Sequence, residues 1–380
     1  GNRHEREGTV EEERERGVQE KYNERLRAES EDGTSSETVE RIEMGGGTQA
    51  QTNREKRKRM DSSMNEGVAF SEEGECCSEA NPEDVTEEAL TFWRSLGVDR
   101  ISIGVQSFHD DELRPLGRVH GRAQALEAVR IATTSGIRTS LDLILGLPRQ
   151  TAESFEETLE TAISTGVGHV SLYMLDLEEG TALARQVEDE RVTLPDDDLV
   201  ANLYTMAIDR FAEAGLAQYE ISNFARPGQE CRHNLRYWRR EEYLGFGIGA
   251  HSFIGDRRFA NTRDIHRYIA GEREPEFAEV LGEGEVRRET IFLRLRQAEG
   301  IDYADVERLC GEEGIAWMDR GLSDGWLRRV GNRGAFTPSG FLLSNGDIAT
   351  PFRMTSHRLP PPLSTCNSIR PPATAPASAR

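Results

Sequence analysis

Between residues 83 and 225 short apolar runs alternate with amphipathic segments, and this alternation restricts the fold more than any other feature of the chain. "EDVTEEALTFWRSLGV" reads as a helix, "RISIGVQS" as a strand, "GRAQALEAVRIATTSGI" as a helix and "RTSLDLILGLP" as a strand. "TAESFEETLETAISTGV" and "HVSLYMLDL" repeat the unit. From Asp197 to Gly215 a further helix is predicted by Leu199, Leu203, Ala207, Phe211 and Leu216 at helical spacing, and "AQYEISNFA" supplies another strand. Strands separated by helices of this length need parallel pairing with right-handed crossovers. The expected fold class is therefore α/β, a complete or partial (β/α) barrel.

From about residue 284 the pattern turns helical, in "EVRRETIFLRLRQA", "DYADVERLC" and "GIAWMDRGLSDGWLRRV", and ends in a hairpin-like "RGAFTPSGFLLS". This predicts a separate small C-terminal helical domain. The first 75 or so residues are too poor in apolar positions to sustain either periodicity, and the proline-rich "RLPPPLSTCNSIRPPATAPASAR" cannot form a packed element, so both termini are expected to be disordered or poorly packed.

The formal net charge of -21 opposes nucleic acid, and the one basic run is "REKRKR" at 54 to 59. Lysine occurs only at Lys21, Lys56 and Lys58, while arginine is abundant. Five cysteines, two of them adjacent at Cys76 and Cys77, do not make a disulfide framework. With no signal-peptide pattern and no apolar run of the ~18 residues that span a bilayer, a cytoplasmic protein is expected.

In a barrel of this kind reactive groups gather at the carboxyl ends of the strands. "MGGGT", residues 44 to 48, would let backbone N–H groups approach an anionic ligand, although a bare glycine triplet is as readily a flexible turn. Glu79 precedes Pro82 and a helix start, where a carboxylate can bind an ammonium group; taken alone it reads as surface charge. Gln106 ends an apolar strand, so its carboxamide needs partners, most simply structural ones. Arg118, in "LGRVH", reads alone as a solvated arginine. Asp142 lies inside the apolar "TSLDLILGLP", and a buried carboxylate needs a cation or several donors. Arg118 or a ligand hydroxyl would satisfy it.

"RISIGVQSF", "DLILGLPRQTAESFEETL", "HVSLYMLDLEEGT", "QYEISNFARPG", "CRHNLRYW" and "YLGFGIGAHSF" together resemble the heme chaperone HemW family, radical SAM proteins related to oxygen-independent coproporphyrinogen III oxidase. The resemblance runs from about Gly45 to about Ile348. It implies a partial (β/α) barrel of radical SAM type that binds S-adenosylmethionine, followed by the family's C-terminal helical domain. The implied division is 1–40 poorly packed, 41–260 barrel, 261–348 helical domain and 349–380 disordered tail. Position by position, Gly46, Gly47 and Thr48 match the glycine-rich SAM loop, and Glu79 matches the ligand of the methionine or ribose moiety. Gln106, Arg118 and Asp142 match further SAM contacts, and Asp176 matches a position on the adenosine side.

The family's CxxxCxxC motif is absent, although a [4Fe–4S] cluster with one open iron needs three thiolates. The loop also reads "GGGTQAQ" where the family has GGGTPS, with Gln49 in place of proline. A truncated, mis-started or frameshifted form of the family protein is the simplest expectation. Coproporphyrinogen decarboxylation is disfavoured, since it needs the missing cluster and the HNxxYW segment points to the chaperone branch.

"HNLRYW" matches that HNxxYW motif, whose imidazole the resemblance implicates in heme binding. His233 can ligate iron, Tyr237 and Trp238 offer flat faces to a porphyrin, and Asn234 can fix the tautomer. The alternative is an interdomain core containing Tyr237 and Trp238, with His233 capping a turn. Cys231 and His233 have poor metal-ligand spacing and no second Cys/His pair nearby, so a zinc site is not expected there. His251 is a lesser candidate, more simply structural. The expected function is heme chaperoning, with S-adenosylmethionine and heme as cofactors and haemoproteins, including weakly membrane-associated ones, as acceptors. The other reading is a non-enzymatic heme-binding module or an inactive remnant.

Overall fold

In the computed structural model, residues 74–272 and 274–344 are described. Gly46, Gly47 and Thr48, both expected disordered termini and the start of the expected barrel lie outside them. Twelve strands, β1 (Cys77–Ala80), β2 (Arg100–Gln106), β3 (Arg138–Leu145), β4 (His169–Met174), β5 (Ala217–Glu220), β6 (Asn223–Ala225), β7 (His251–Ile254), β8 (Arg257–Ala260), β9 (Phe277–Val280), β10 (Ile301–Asp302), β11 (Leu327–Val330) and β12 (Arg333–Phe336), form three sheets. The largest has the order β1-β2-β3-β4-β6-β5 and, among the described residues, does not close into a barrel.

The helices follow the expected spacing closely. These are α1 (Glu87–Ser95), α2 (Asp110–Leu113), α3 (Arg122–Thr134), α4 (Ala152–Ser164), α5 (Ala182–Glu188) and α6 (Asp197–Glu213). Each of the three longest buries one stripe: Ala125, Ala128, Val129 and Ala132 on α3, Phe155, Leu159 and Ala162 on α4, and Leu203, Ala207 and Phe211 on α6. Those stripes cover Ile101, Ile103 and Val105 of β2, Leu141, Leu143 and Leu145 of β3, and Val170 and Leu172 of β4, all in one apolar core. Local chemistry starts the helices where they start. Thr86 accepts from the Ala89 N–H at 3.1 Å, Asp196 accepts from the Leu199 N–H at 2.8 Å, and Thr151 and Ser154 cap each other's backbone.

Alternate residues of the same strands point the other way and are polar. Register places Ser102, Ser140 and His169 in one row across the sheet, and Gly104, Asp142, Ser171 and Asn223 in the next. The sheet thus has an apolar face under helices and a polar opposite face.

"AQYEISNFA" is a hairpin, not the single strand expected. β6 runs antiparallel to both β4 and β5, because the Glu220 carboxylate accepts the Ser222 N–H at 3.0 Å and an Asn223 amide N–H, fixing a reversal at Ile221 and Ser222. Beyond it lie α7 (Arg232–Arg239), α8 (Ile265–Ile269), α9 (Glu283–Leu295), α10 (Tyr303–Asp324) and α11 (Pro338–Leu343). Gly311, at φ 61° and ψ −152°, kinks α10. The end of "GIAWMDRGLSDGWLRRV" is strand β11 and not helix, since Gly325 terminates α10 in the left-handed region and Leu327–Val330 pairs with β12. The expected helical C-terminal region therefore carries the small antiparallel sheet β10-β12-β11 beside its helices, and its β9 pairs with β8 in a second sheet whose β7 and β8 precede residue 261. No helix among the described residues is long and apolar enough to cross a membrane.

Candidate functional site

The polar face gathers hydrogen-bonding groups around Asp142. Its carboxylate accepts the Ser102 hydroxyl at 2.7 Å and is also hydrogen-bonded by Ser171. Burial dominates and pushes the carboxyl up to about 6, with the two serines and Arg118 pulling the other way. Arg118 makes no direct ion pair with it. The guanidinium instead donates to the Asn81 side-chain carbonyl at 2.9 Å and acts on Asp142 at longer range. Two serines therefore do most of what a paired arginine would.

Gln106 closes this group. It is fully buried, with φ +67°, where β2 bulges against β3. Neither its amide oxygen nor its amide nitrogen has a hydrogen-bond partner among the described residues. A non-glycine residue in the left-handed region and an unsatisfied buried amide each cost about 1–3 kcal/mol. A ligand with polar edges would supply what the amide lacks. Its nitrogen lies over Gly104, 2.8 Å from where a Cβ would be, and Asn81 flanks the same glycine.

Gln106, Arg118 and Asp142 thus converge with Asn81 and Gly104. Glu79 stands one strand away, paired with Ser102 and exposed. Asp176 is exposed beyond the end of β4. Tyr173 extends the group inward: burial first, then Asp142, Glu220 and Glu79, raise its hydroxyl well above the phenol range. Burial lifts Glu220 to about 7, and burial lowers Arg296, which faces Glu220, to about 9.

The sequence reading missed a polar relay on the same face. Ser140 Oγ lies 2.6 Å from His169 Nδ1, His169 Nε2 lies 2.8 Å from the Tyr219 hydroxyl, and that hydroxyl accepts the Cys231 N–H at 3.3 Å. Burial, then Arg100, hold the imidazole well below its usual value, so it is neutral. The signal available was period-two polarity in apolar strands, with Ser102, Ser140, Asp142, His169 and Ser171 all on one face.

The relay ends at the foot of α7, the helix of "HNLRYW". His233 and Tyr237, one turn apart, stack edge to face at 4.7 Å, and Tyr237 meets Tyr243 at 4.7 Å. Asn234 and Trp238 form the adjacent stripe. The Trp238 indole N–H is buried without a partner among the described residues, while its carbonyl accepts from Gln297 at 3.2 Å. His251 lies in β7, its ring 6.4 Å from that of Phe277. His233 N–H bonds Glu75 at the amino-terminal foot of the sheet, so α7 begins at the opposite end of the strands from Gln106.

The thiols do not fit the family's iron–sulfur cluster. Cys76 and Cys77 stand at the foot of β1 and Cys231 beside them, Cys310 lies in α10, and the CxxxCxxC spacing occurs nowhere in the chain. The buried unsatisfied Gln106 amide, by contrast, fits a polar ligand such as S-adenosylmethionine.

Residues 4–162 match the family described as the radical SAM superfamily. The heme chaperone HemW of Mycobacterium tuberculosis is 35% identical, covering 82% of this chain and 80% of its own length. HemW of Bacillus subtilis is 36% identical over 70% of this chain and 72% of its own. Among solved structures, the Escherichia coli coproporphyrinogen III oxidase HemN, a radical SAM enzyme, superposes with a TM-score of 0.67 at 23% identity, over 81% of this chain and 76% of that one, a likeness of fold. The chain belongs to the heme chaperone HemW family of the radical SAM superfamily.

Proposed function

We propose that this HemW-family chain binds S-adenosylmethionine at the carboxyl ends of β1 to β3 and heme on α7, and that it hands the heme to acceptor haemoproteins. The observation that carries the first half is the Gln106 amide, buried and unsatisfied beside Asp142 and Arg118. Gln106 would donate to and accept from the ligand, the Asp142 carboxylate would accept from a hydroxyl or ammonium, and Arg118 would face a carboxylate. Glu79, and more remotely Asp176, would meet the rest of the ligand, and Gly46, Gly47 and Thr48 would supply its glycine-rich loop. S-adenosylmethionine bound there supplies a sulfonium beside these polar groups. The thiols of this chain do not make the three-thiolate set of an iron–sulfur cluster.

For heme, His233 offers a ring nitrogen to iron, Tyr237 and Trp238 offer aromatic faces, and Asn234 orients the imidazole. The names of the relatives, each a heme chaperone, support this assignment.

Two titrations test it separately. Anaerobic calorimetry with S-adenosylmethionine should give saturable binding that Gln106→Ala weakens by about tenfold or more. Heme titration followed at the Soret band should weaken in His233→Ala. Heme affinity unchanged by that substitution removes His233 from the account, and no heat from S-adenosylmethionine removes the strand-tip site.

A further inference from the structure

At the foot of the sheet, far along the strands from Gln106, a second group of ligand-bearing side chains comes together. One carboxylate oxygen of Glu75 and the sulfurs of Cys77 and Cys231 all lie within 4.8 Å of one another. Glu75 and Cys231 are 6% and 7% exposed, whereas Cys77 is only partly buried. Spacing along the chain gives no hint of this meeting, since Glu75 and Cys231 are 156 residues apart.

The group is held from behind. Arg100 Nε and Arg138 Nη1 both bond Glu75 Oε1 at 2.9 Å, which turns Oε2 toward Cys231 Sγ, 3.8 Å away. Pairing with β2 fixes Cys77 opposite Arg100. The Tyr219 hydroxyl accepts the Cys231 N–H, fixing the other thiol. Outer-shell contacts of this kind orient metal ligands. A tetrahedral ion bound to one thiolate and one carboxylate holds their atoms roughly 3.5 Å apart, so the observed 3.8 Å needs little adjustment. Two thiolates and a carboxylate around a divalent ion leave one net negative charge, and the two guanidiniums behind Glu75 face it.

We propose that Cys77, Cys231 and Glu75 form a three-ligand site for a thiophilic divalent cation of the zinc class, with water in the fourth position on the partly open Cys77 side. Two sulfurs and one oxygen select such an ion over magnesium or calcium. The site joins the first described strand to the residue that precedes α7, so a bound ion ties the histidine-bearing helix to the sheet. It lies at the opposite end of the strands from Gln106, and Glu75 Oε2 also accepts the His233 N–H at 3.4 Å, which places it at the start of the helix proposed to hold heme.

Cobalt(II) titration of the reduced full chain under argon tests it. One equivalent should produce a thiolate-to-cobalt charge-transfer band and intense tetrahedral d–d bands, both removed by added zinc. Cys77→Ser and Cys231→Ser should each weaken binding by at least about tenfold, and the double variant should abolish the bands, whereas Cys76→Ser and Cys310→Ser leave them. Because Cys231→Ser also disturbs packing, the unsubstituted chain supplies a second readout. Zinc should slow alkylation of Cys77 and Cys231, mapped by mass spectrometry, and leave Cys76 and Cys310 at their metal-free rates. Absence of the bands, their survival in the double variant, or protection falling on Cys76, Cys310 or Cys366 overturns the proposal.

Discussion

The amide nitrogen of Gln106 lies 2.8 Å from the point a Cβ on Gly104 would occupy, so the glycine is what admits the carboxamide to its seat over β2. Gly104→Ala should push the amide out or shift the strand against β1 and β3. Overpacking of this kind costs about 1–3 kcal/mol. Urea unfolding should report that loss, and calorimetry should report weaker S-adenosylmethionine binding. A Gly104→Ala chain with parental affinity would show that ligand binding does not use the Gln106 seat.

Asp142 makes stability depend on pH in a stated direction. Burial raises its carboxyl from 3.8 unfolded to about 6 folded. An acid whose folded value is the higher one favours the native state when protonated. That contribution is complete below about pH 4 and is lost as the pH rises through about 6. Asp142→Asn, which cannot ionise, should therefore be more stable than the parent at about pH 8, by up to roughly 3 kcal/mol, with the advantage gone at about pH 4. Thermal unfolding at the two pH values measures this, and an advantage that stays constant between them would count against a buried ionised Asp142.

Glu75 pairs with two arginines of very different exposure, of which Arg138 also pairs with Asp99 at 2.7 Å, and the difference predicts unequal costs. The Arg100 side chain is 3% exposed and the Arg138 side chain 27% exposed, each bonded to Glu75 Oε1 at 2.9 Å. Glu75→Gln leaves the buried Arg100 charge with neutral acceptors only, the new amide oxygen and the Gln229 and Glu230 carbonyls, so it should cost about 3–5 kcal/mol. Arg138→Ala should cost about 1 kcal/mol or less, because its pair is partly screened by solvent. Denaturant midpoints for the two variants check the ordering.

The outer half of this fold is written in simple periods. Ala125, Ala128, Val129 and Ala132 repeat at helical spacing, and Ile101, Ile103 and Val105 repeat at strand spacing, so each element announces its buried side. The inner half is harder to read. Ser102 and Ser171 look like incidental polar residues until register sets both against Asp142. The turn in "AQYEISNFA" depends on the Glu220 carboxylate capping Ser222, a contact with no signature comparable to a glycine pair. Arg118 was a natural partner for Asp142 by charge alone, yet Asn81 takes its guanidinium. Pairings such as Glu75 with Cys231 join positions that no local pattern connects.

Trp238 separates a structural from a ligand-facing role within "HNLRYW". Its indole N–H is buried and without a partner among the described residues, so Trp238→Phe removes no hydrogen bond within the chain and keeps most of the aromatic surface. The expected stability change is within about 1 kcal/mol. If the indole meets a heme edge, the same change should weaken heme binding several-fold while leaving S-adenosylmethionine binding intact, because α7 begins at the opposite end of the strands from Gln106. His233→Ala should weaken heme binding further, since it removes a nitrogen that can reach iron. A Soret titration of the two variants beside a thermal melt decides between the roles. Lower melting with unchanged heme affinity would make Trp238 a packing residue and leave the imidazole to hold heme without it.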